Sequence, residues 1–420
     1  MKRGVNEFLS VLGWLPRRVS RRGVDLLVAG FGARITPLAK PLFLRSAECR
    51  AAGDAGRARG AVRLAFGASQ ISRLPRLTAH LEEIATSSTG QLSASQRSSS
   101  ALDVLLQIPP DELNAQQWDL LCRFLASHGL LRASLLARER TRERDIRGDR
   151  GSDLAACALL DSGDPNLDQL AAHLQLAYPS TRSLATLLGV CGDSLPQPEP
   201  NITPFTAGRS VALVGSAVLS GNWGISIDDH QLIARTKYFG PTYMQDFDQG
   251  GRRADLGYYN NSCTQLLLSS EVGQDSVALH AIRNLSMLIT SSVVALPNAR
   301  ALNTRCPVYL SPAVLGTRAT FHLLLGRPAH LSIYGFDFYL AEISHYAGDF
   351  NEMHRTSRGK CRSNARMCHS FGRHHPVSQL RFIRNLWRAG ALTPYGRTAE
   401  VLSMTDLEYV TGLEERYSQW

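Results

Sequence analysis

The chain lacks an apolar run long enough to cross a bilayer. Its best early stretch, Val24 to Ala33, is closed by Arg34 and falls far short of the ~20 residues a spanning helix needs. A signal peptide is not expected either. Arg17, Arg18, Arg21 and Arg22 precede that run, but Arg34 and Lys40 follow it without a clear cleavage site. No CxxC pair occurs: Cys49, Cys122, Cys157, Cys191, Cys263, Cys306, Cys361 and Cys368 are scattered. Cys361 and Cys368, with His354 and His369 nearby, miss the paired spacing of a zinc site, so no metal is expected. Reduced thiols in a cytoplasmic protein are the simpler reading. The glycines after the first strong strand are not in dinucleotide-binding order.

What the chain does have is length and charge. Its 420 residues exceed one average domain, and 44% hydrophobic content is enough for a large core. The formal net charge is +10, and the first fifty residues hold ten Lys and Arg against three Asp and Glu. Residues 1–45 therefore read as a basic amphipathic segment suited to a membrane interface. The alternatives are a lead-in to the helical region, a nucleic-acid contact or a solvated basic face.

Residues 46–190 carry helical spacing in hairpin form. LRSAECRAAGDAGRARGAVRLAFGAS turns at Gly53-Asp54, and WDLLCRFLASHGLLRASLLARERTRERD turns at His128-Gly129. DLAACALLDSGDPNLDQLAAHLQLAYP breaks between Asp161 and Pro165. These hairpins resemble tetratricopeptide-type repeats of irregular period. The Ser-rich residues 87–100 read as a flexible loop. Residues 191–208, rich in proline, read as a linker. The helical region serves either as an interaction surface or as a spacer.

From residue 209 the pattern changes to short β-rich runs between helical stretches: SVALVG, QLIART, SMLITS, PVYLS and HLSIYGF. The expected fold class is α/β, a Rossmann-like, mainly parallel sheet preceded by an all-α region. Ligands of such sheets bind at the carboxyl ends of the strands. The loops after Gly215 and Arg235, around Ser311 to Thr317, and after Tyr334-Gly335 are therefore the expected site. Glycine at Gly215 lets backbone approach a ligand closely, and Ser216 with the amides that follow suits a phosphate or ribose.

The stretch VALVGSAVLSGNWGISIDDHQLIARTKYFGPTYMQDFDQGGRRADLGYYNN, Val211 to Asn261, resembles the large donor-binding motif of the sialyltransferase family (glycosyltransferase family 29). Val214-Gly215, Trp223-Gly224, Ile227-Asp228, His230, Arg235, Asp248, Gly250, Arg252 and Asp255 carry the likeness. Two departures stand where the family has donor-holding asparagines: Ser216 and Lys237. Ser216 still hydrogen-bonds, and Lys237 offers charge to a phosphate. Residues 309–339 resemble the family's small motif, with Gly316 and Thr317 in swapped order. His345-Tyr346 resembles its His-Tyr motif. His374 begins HHPVSQ, which keeps the spacing of its last motif but has Gln379 in place of Glu.

The resemblance covers about half the chain and implies a metal-independent, inverting transferase for a CMP-activated sialic acid or related acidic sugar, with no cofactor. The acceptor implied is a glycan or glycolipid hydroxyl. His374 would be the general base, its pKa near working pH. His345 would be a second catalytic residue that meets the phosphate. Gly215, Ser216, Arg235, Lys237, Ser311, Gly316, Thr317, Gly335 and Tyr346 would hold the donor. Arg358, Lys360, Arg362 and Arg366 form either a lid over the donor or a solvated loop. Animal members carry an anchor and a disulfide between the large and small motifs, and neither is visible here. The likeness is therefore to a bacterial, cytoplasmic relative, peripheral to the inner membrane through residues 1–45 and making surface polysaccharide or glycolipid. No specific nucleic-acid partner is implied. The rival expectations are a weakened relative that binds a nucleotide sugar without transfer, and a helical-repeat adaptor with a basic membrane- or nucleic-acid-binding end.

Overall fold

The computed structural model describes residues 74–86, 94–191, 196–217, 219, 221–240, 247–260, 263–264, 267, 277–282, 298–302, 304–340 and 364–417. The basic segment 1–45, the hairpin at 44–69, SMLITS, His345-Tyr346, Arg358, Lys360 and Arg362 lie outside the described residues. Residues 1–91 and residues 92–420 form two compact units. In the first, helix α1 (Leu74–Thr86) is the described element.

The second unit opens with six helices: α2 (Ala94–Leu106), α3 (Ala115–Ser127), α4 (Leu131–Ile146), α5 (Ser152–Ser162), α6 (Leu167–Leu174) and α7 (Pro179–Leu187). Helix α3 starts where Asn114 and Gln117 form a reciprocal capping box: Gln117 N donates to Asn114 Oδ1 (3.1 Å), and Asn114 N donates to Gln117 Oε1 (2.7 Å). Trp118, Leu121 and Leu125, at helical spacing, are fully buried. The chain turns at His128-Gly129, with Gly129 at φ 74°, and again after Ser162, as the spacing predicts. One expectation is corrected. The Ser-rich run is not a loop throughout, because residues 94–106 are helical. Ser98 is buried there and donates to Glu414 (2.5 Å), so a tertiary partner overrides serine's weak helix propensity.

The proline-rich segment leads into α8 (Thr203–Thr206), and within it Glu199 is tied to the sheet domain: Glu199 N donates to Leu325 O (3.3 Å), and Thr304 Oγ1 donates to Glu199 Oε2 (3.0 Å). The alternating elements follow: β1 (Ser210–Val214), α9 (Gly224–Asp228), β2 (Leu232–Thr236), α10 (Phe247–Gly250), β3 (Leu256–Tyr259), β4 (Leu279–Ile282), β5 (Ala299–Ala301), α11 (Leu315–Leu325), β6 (His330–Tyr334), α12 (Asn364–Arg373), α13 (Pro376–Arg388), β7 (Thr393–Pro394), α14 (Arg397–Ser403) and α15 (Asp406–Tyr417). The sheet order is β5-β4-β3-β2-β1-β6-β7, and its six pairings are all parallel. The expected mixed α/β arrangement, helices first and a parallel sheet after, is therefore present. PVYLS is a second correction. It is a buried turn in which Leu310 takes φ 57°, a left-handed backbone that no strand tolerates.

Side chains alternate along the central strands, as period two requires. Val211 and Leu213 of β1, Leu232 and Ala234 of β2, and Leu331 and Ile333 of β6 join one large core. Helix residues Ala126, Leu131, Leu160 and Leu184 belong to that same core. Ala212, Val214, Ile233 and Tyr334 face the other side, where Ile227, Trp223 and Tyr395 cover them. The early helices thus form part of the layer that closes one sheet face. Strand β1 pairs with β2 on one side and β6 on the other, so the chain reverses its direction of travel across the sheet there. Such a switch point leaves a crevice at the carboxyl ends of the two strands.

Candidate functional site

At that crevice the strand ends are built from glycine. Gly215 N donates to Tyr334 O (2.7 Å), and Ala217 N donates to Gly335 O (3.1 Å). A Cβ on Gly215 would lie 2.1 Å from the Gly335 carbonyl oxygen, and Gly335 itself has φ 68°. Only glycine permits this close approach, which opens space above it.

The space is a cavity of about 230 Å³. Ser216 and Lys237 line it from the ends of β1 and β2, and Gly335 from the end of β6. Gly316 and Thr317 line it from the first turn of α11, and His374 from the far side. Lys237 holds a left-handed backbone, φ 58°, while its N–H donates to Tyr258 O (2.8 Å). Strain of this kind at a non-glycine residue is kept where the surroundings fix it, and it collects at functional sites.

Helix α11 supplies the electropositive end. Its first intrahelical bond runs from Arg318 N to Val314 O (2.9 Å), so the amides of Leu315, Gly316 and Thr317 precede the ladder. All three residues line the cavity. The Thr317 hydroxyl is buried and has no hydrogen-bond partner among the described residues. An orphan donor or acceptor in a buried setting costs about 1–3 kcal/mol unless a ligand meets it. Orphan amides, an unmet hydroxyl and a helix dipole together suit an anion.

His374 is the first residue after α12, and His375 separates it from Pro376, where α13 begins. His374 Nδ1 lies 2.8 Å from the Pro312 carbonyl, which can only accept, so Nδ1 carries a proton and, in the neutral ring, Nε2 holds the lone pair. His375 is different. Burial, with Arg138, Arg123 and Arg381 nearby, holds its imidazole well below the ordinary value. Its Nε2 meets Ser134 Oγ at 3.1 Å, and it does not line the cavity. Of the two adjacent histidines, His374 lines the cavity and His375 does not.

The remaining site residues fall elsewhere. Arg235 is buried with its guanidinium on the carbonyls of Arg253 (2.7 Å) and Gly250 (2.6 Å), which ties β2 to the loop before β3. Gly215 lies beneath the cavity rather than along it. Ser311 is a hub of the turn before α11: its Oγ accepts from His375 N (2.9 Å) and from Gln379 Nε2 (2.8 Å). Asn260, Asp337, Tyr339 and Ser370 line the cavity without having been singled out from sequence. The nearest signals were the Asn260-Asn261 pair closing the large motif and the Gly-Phe-Asp run after β6.

Among the described residues no group of three His, Cys, Asp or Glu side chains is placed to hold a metal ion, and no helix is long and apolar enough to cross a membrane. In comparisons with known proteins, no family model matches this chain and no curated protein matches it, so the family likeness rests on the motif residues themselves.

Proposed function

We propose that residues 209–420 act as a sialyltransferase-like, inverting glycosyltransferase that moves sialic acid or a related acidic sugar from its CMP-activated form to a hydroxyl of a glycan or glycolipid. One observation carries this reading: Ser216, Lys237, Gly316, Thr317, Gly335 and His374, drawn from three separate motif-like segments, line one cavity at the sheet's switch point.

In the proposed step His374 Nε2 takes the proton from the acceptor hydroxyl. The hydroxyl oxygen attacks the anomeric carbon from the face opposite CMP. The anomeric C–O bond breaks, and its electron pair leaves on the phosphate of cytidylate. The α11 amides and Lys237 meet the charge that develops there, and His345 has the same duty. No paired carboxylates of the glycosidase type are called for. The anchor role of residues 1–45, and with it a cytoplasmic enzyme at the inner membrane face, belongs to the same proposal.

The test is release of CMP and transfer of sugar by the purified full chain, wild type against His374→Ala. The substitution is expected to remove general-base help and lower kcat by about 10²–10⁴. Unchanged turnover would sink His374 as the base. Activity undiminished by a chelator is expected as well. A second reading, donor binding without transfer, is favoured by Lys237 and Ser216 in place of asparagine. Calorimetric binding of CMP with no turnover of any CMP-sugar would select it.

A further inference from the structure

Gln379 stands where the resemblance calls for a glutamate, and its surroundings use it as an amide. The residue is fully buried on the first turn of α13. Its Oε1 accepts from Val314 N (3.1 Å), the N-cap amide of α11. Its Nε2 donates to Ser311 Oγ (2.8 Å) and to Pro312 O (3.2 Å). The orientation of the amide is fixed by chemistry, since Val314 N is a donor and needs the oxygen opposite it. The same Pro312 carbonyl accepts from His374 Nδ1 at 2.8 Å and from the Ser311 hydroxyl at 3.3 Å.

We propose that Gln379 is a positioning residue whose amide, acting through the Pro312 carbonyl and the Val314 amide, fixes the His374 ring with Nε2 as its basic nitrogen and presents the first turn of α11 to the cavity. A carboxylate cannot do this. It would accept from Val314 N and draw a proton from Ser311, but it would set a negative oxygen against the Pro312 carbonyl oxygen. That repulsion pushes away the acceptor that His374 Nδ1 meets. The catalytic meaning of the role rests on the glycosyltransferase reading above, whereas the hydrogen-bond geometry does not.

The experiment uses the full chain labelled with ¹⁵N-histidine, comparing wild type with Gln379→Glu and Gln379→Met. The imidazole ¹⁵N shifts report the tautomer. Wild-type His374 is expected to carry its proton on Nδ1. Both variants are expected to lose that preference, with kcat for CMP-sugar turnover down about tenfold to a hundredfold, as for a misplaced catalytic group, and KM changed far less. A folded variant that keeps the wild-type tautomer and kcat overturns the proposal. If Gln379→Glu does not fold, Gln379→Met, close in volume, carries the comparison. If neither folds, the wild-type tautomer decides, because a His374 protonated on Nε2 overturns the proposal directly. If the wild type turns over no CMP-sugar, the transferase reading fails, while the tautomer comparison still decides the role of Gln379.

Discussion

Arg123 on α3 donates through Nη2 to the carbonyl of Leu310, 2.5 Å away and 187 residues later in the chain. Its Nη1 reaches the Gly372 carbonyl (3.5 Å), two residues before His374, and Asp119 holds its Nε at 2.8 Å. One buried guanidinium from the helical layer thus clasps both segments that flank Pro312 and His374. Arg123→Met is expected to destabilise the fold by about 1.5–3 kcal/mol, because two carbonyls lose a charged donor, while Asp119 keeps Arg150 Nη1 at 3.0 Å. Chemical denaturation reads the loss directly. A drop below about 1 kcal/mol would show that the clasp is incidental.

The contact between β1 and β6 is expected to tolerate no side chain. Gly215→Ala places a Cβ 2.1 Å from a backbone oxygen, which no rotamer change can relieve. Overpacking against fixed backbone costs about 3 kcal/mol or more. A fall in thermal midpoint together with loss of CMP binding is the expected outcome. Gly148→Ala is the control for a generic glycine effect, since a Cβ there meets nothing within 4 Å, though its φ of 90° adds local strain.

Stability is expected to fall with acidification through His322. This residue, on α11, is 3% exposed and accepts or donates at Nδ1 with Tyr258 OH (2.9 Å). Burial lowers its pKa from 6.5 to about 4. The unfolded chain therefore binds a proton between about pH 6.5 and 4 that the folded chain refuses. The sign is a loss of stability as pH falls through that window, with no contribution above pH 6.5 and no further loss below 4. The total is about 3 kcal/mol. His322→Gln should flatten this part of the stability–pH curve, and an unchanged slope would remove His322 as its cause.

Lys237 separates strain from charge. Replacing it with glycine relieves a left-handed backbone worth about 1–2 kcal/mol but adds about 0.5–1 kcal/mol of chain entropy. Stability should therefore hold or rise slightly. Affinity for CMP, read by calorimetry, should fall about tenfold as a charged contact of about 1.4 kcal/mol is lost. A gain in affinity would mean that Lys237 does not face the phosphate.

The sheet was legible in part. Strands β1, β2 and β6 announced themselves because each is a short apolar run ending in a turn residue. Strands β3, β4, β5 and β7 did not. They are two to four residues long, and β5 and β7 have too little apolar pattern to register. PVYLS misled because buried turns and buried strands share a composition, and only the left-handed Leu310 tells them apart. In the site, spacing picked His374 over its neighbour, and of the two it is His374 that lines the cavity. Arg235 and Ser311 are polar residues at strand and helix ends, where sequence cannot distinguish bonds to a ligand from bonds to the fold. Asp337 and Ser370 reach the cavity through packing across the whole chain, which no local pattern encodes.

The core shared between the early helices and the sheet bears on how such a chain can be inherited. Arg123 meets Leu310 and Gly372, Ser134 meets His375, and Arg138 meets Ser378 (3.1 Å). Each pair joins residues before the proline-rich segment to residues after it. A recombination event that exchanged residues 94–190 for another helical array would strand these partners at once. The region before the proline-rich segment and the cavity behind it are therefore expected to be exchangeable only together, since the later half alone would lack the partners of Leu310, Gly372, His375 and Ser378.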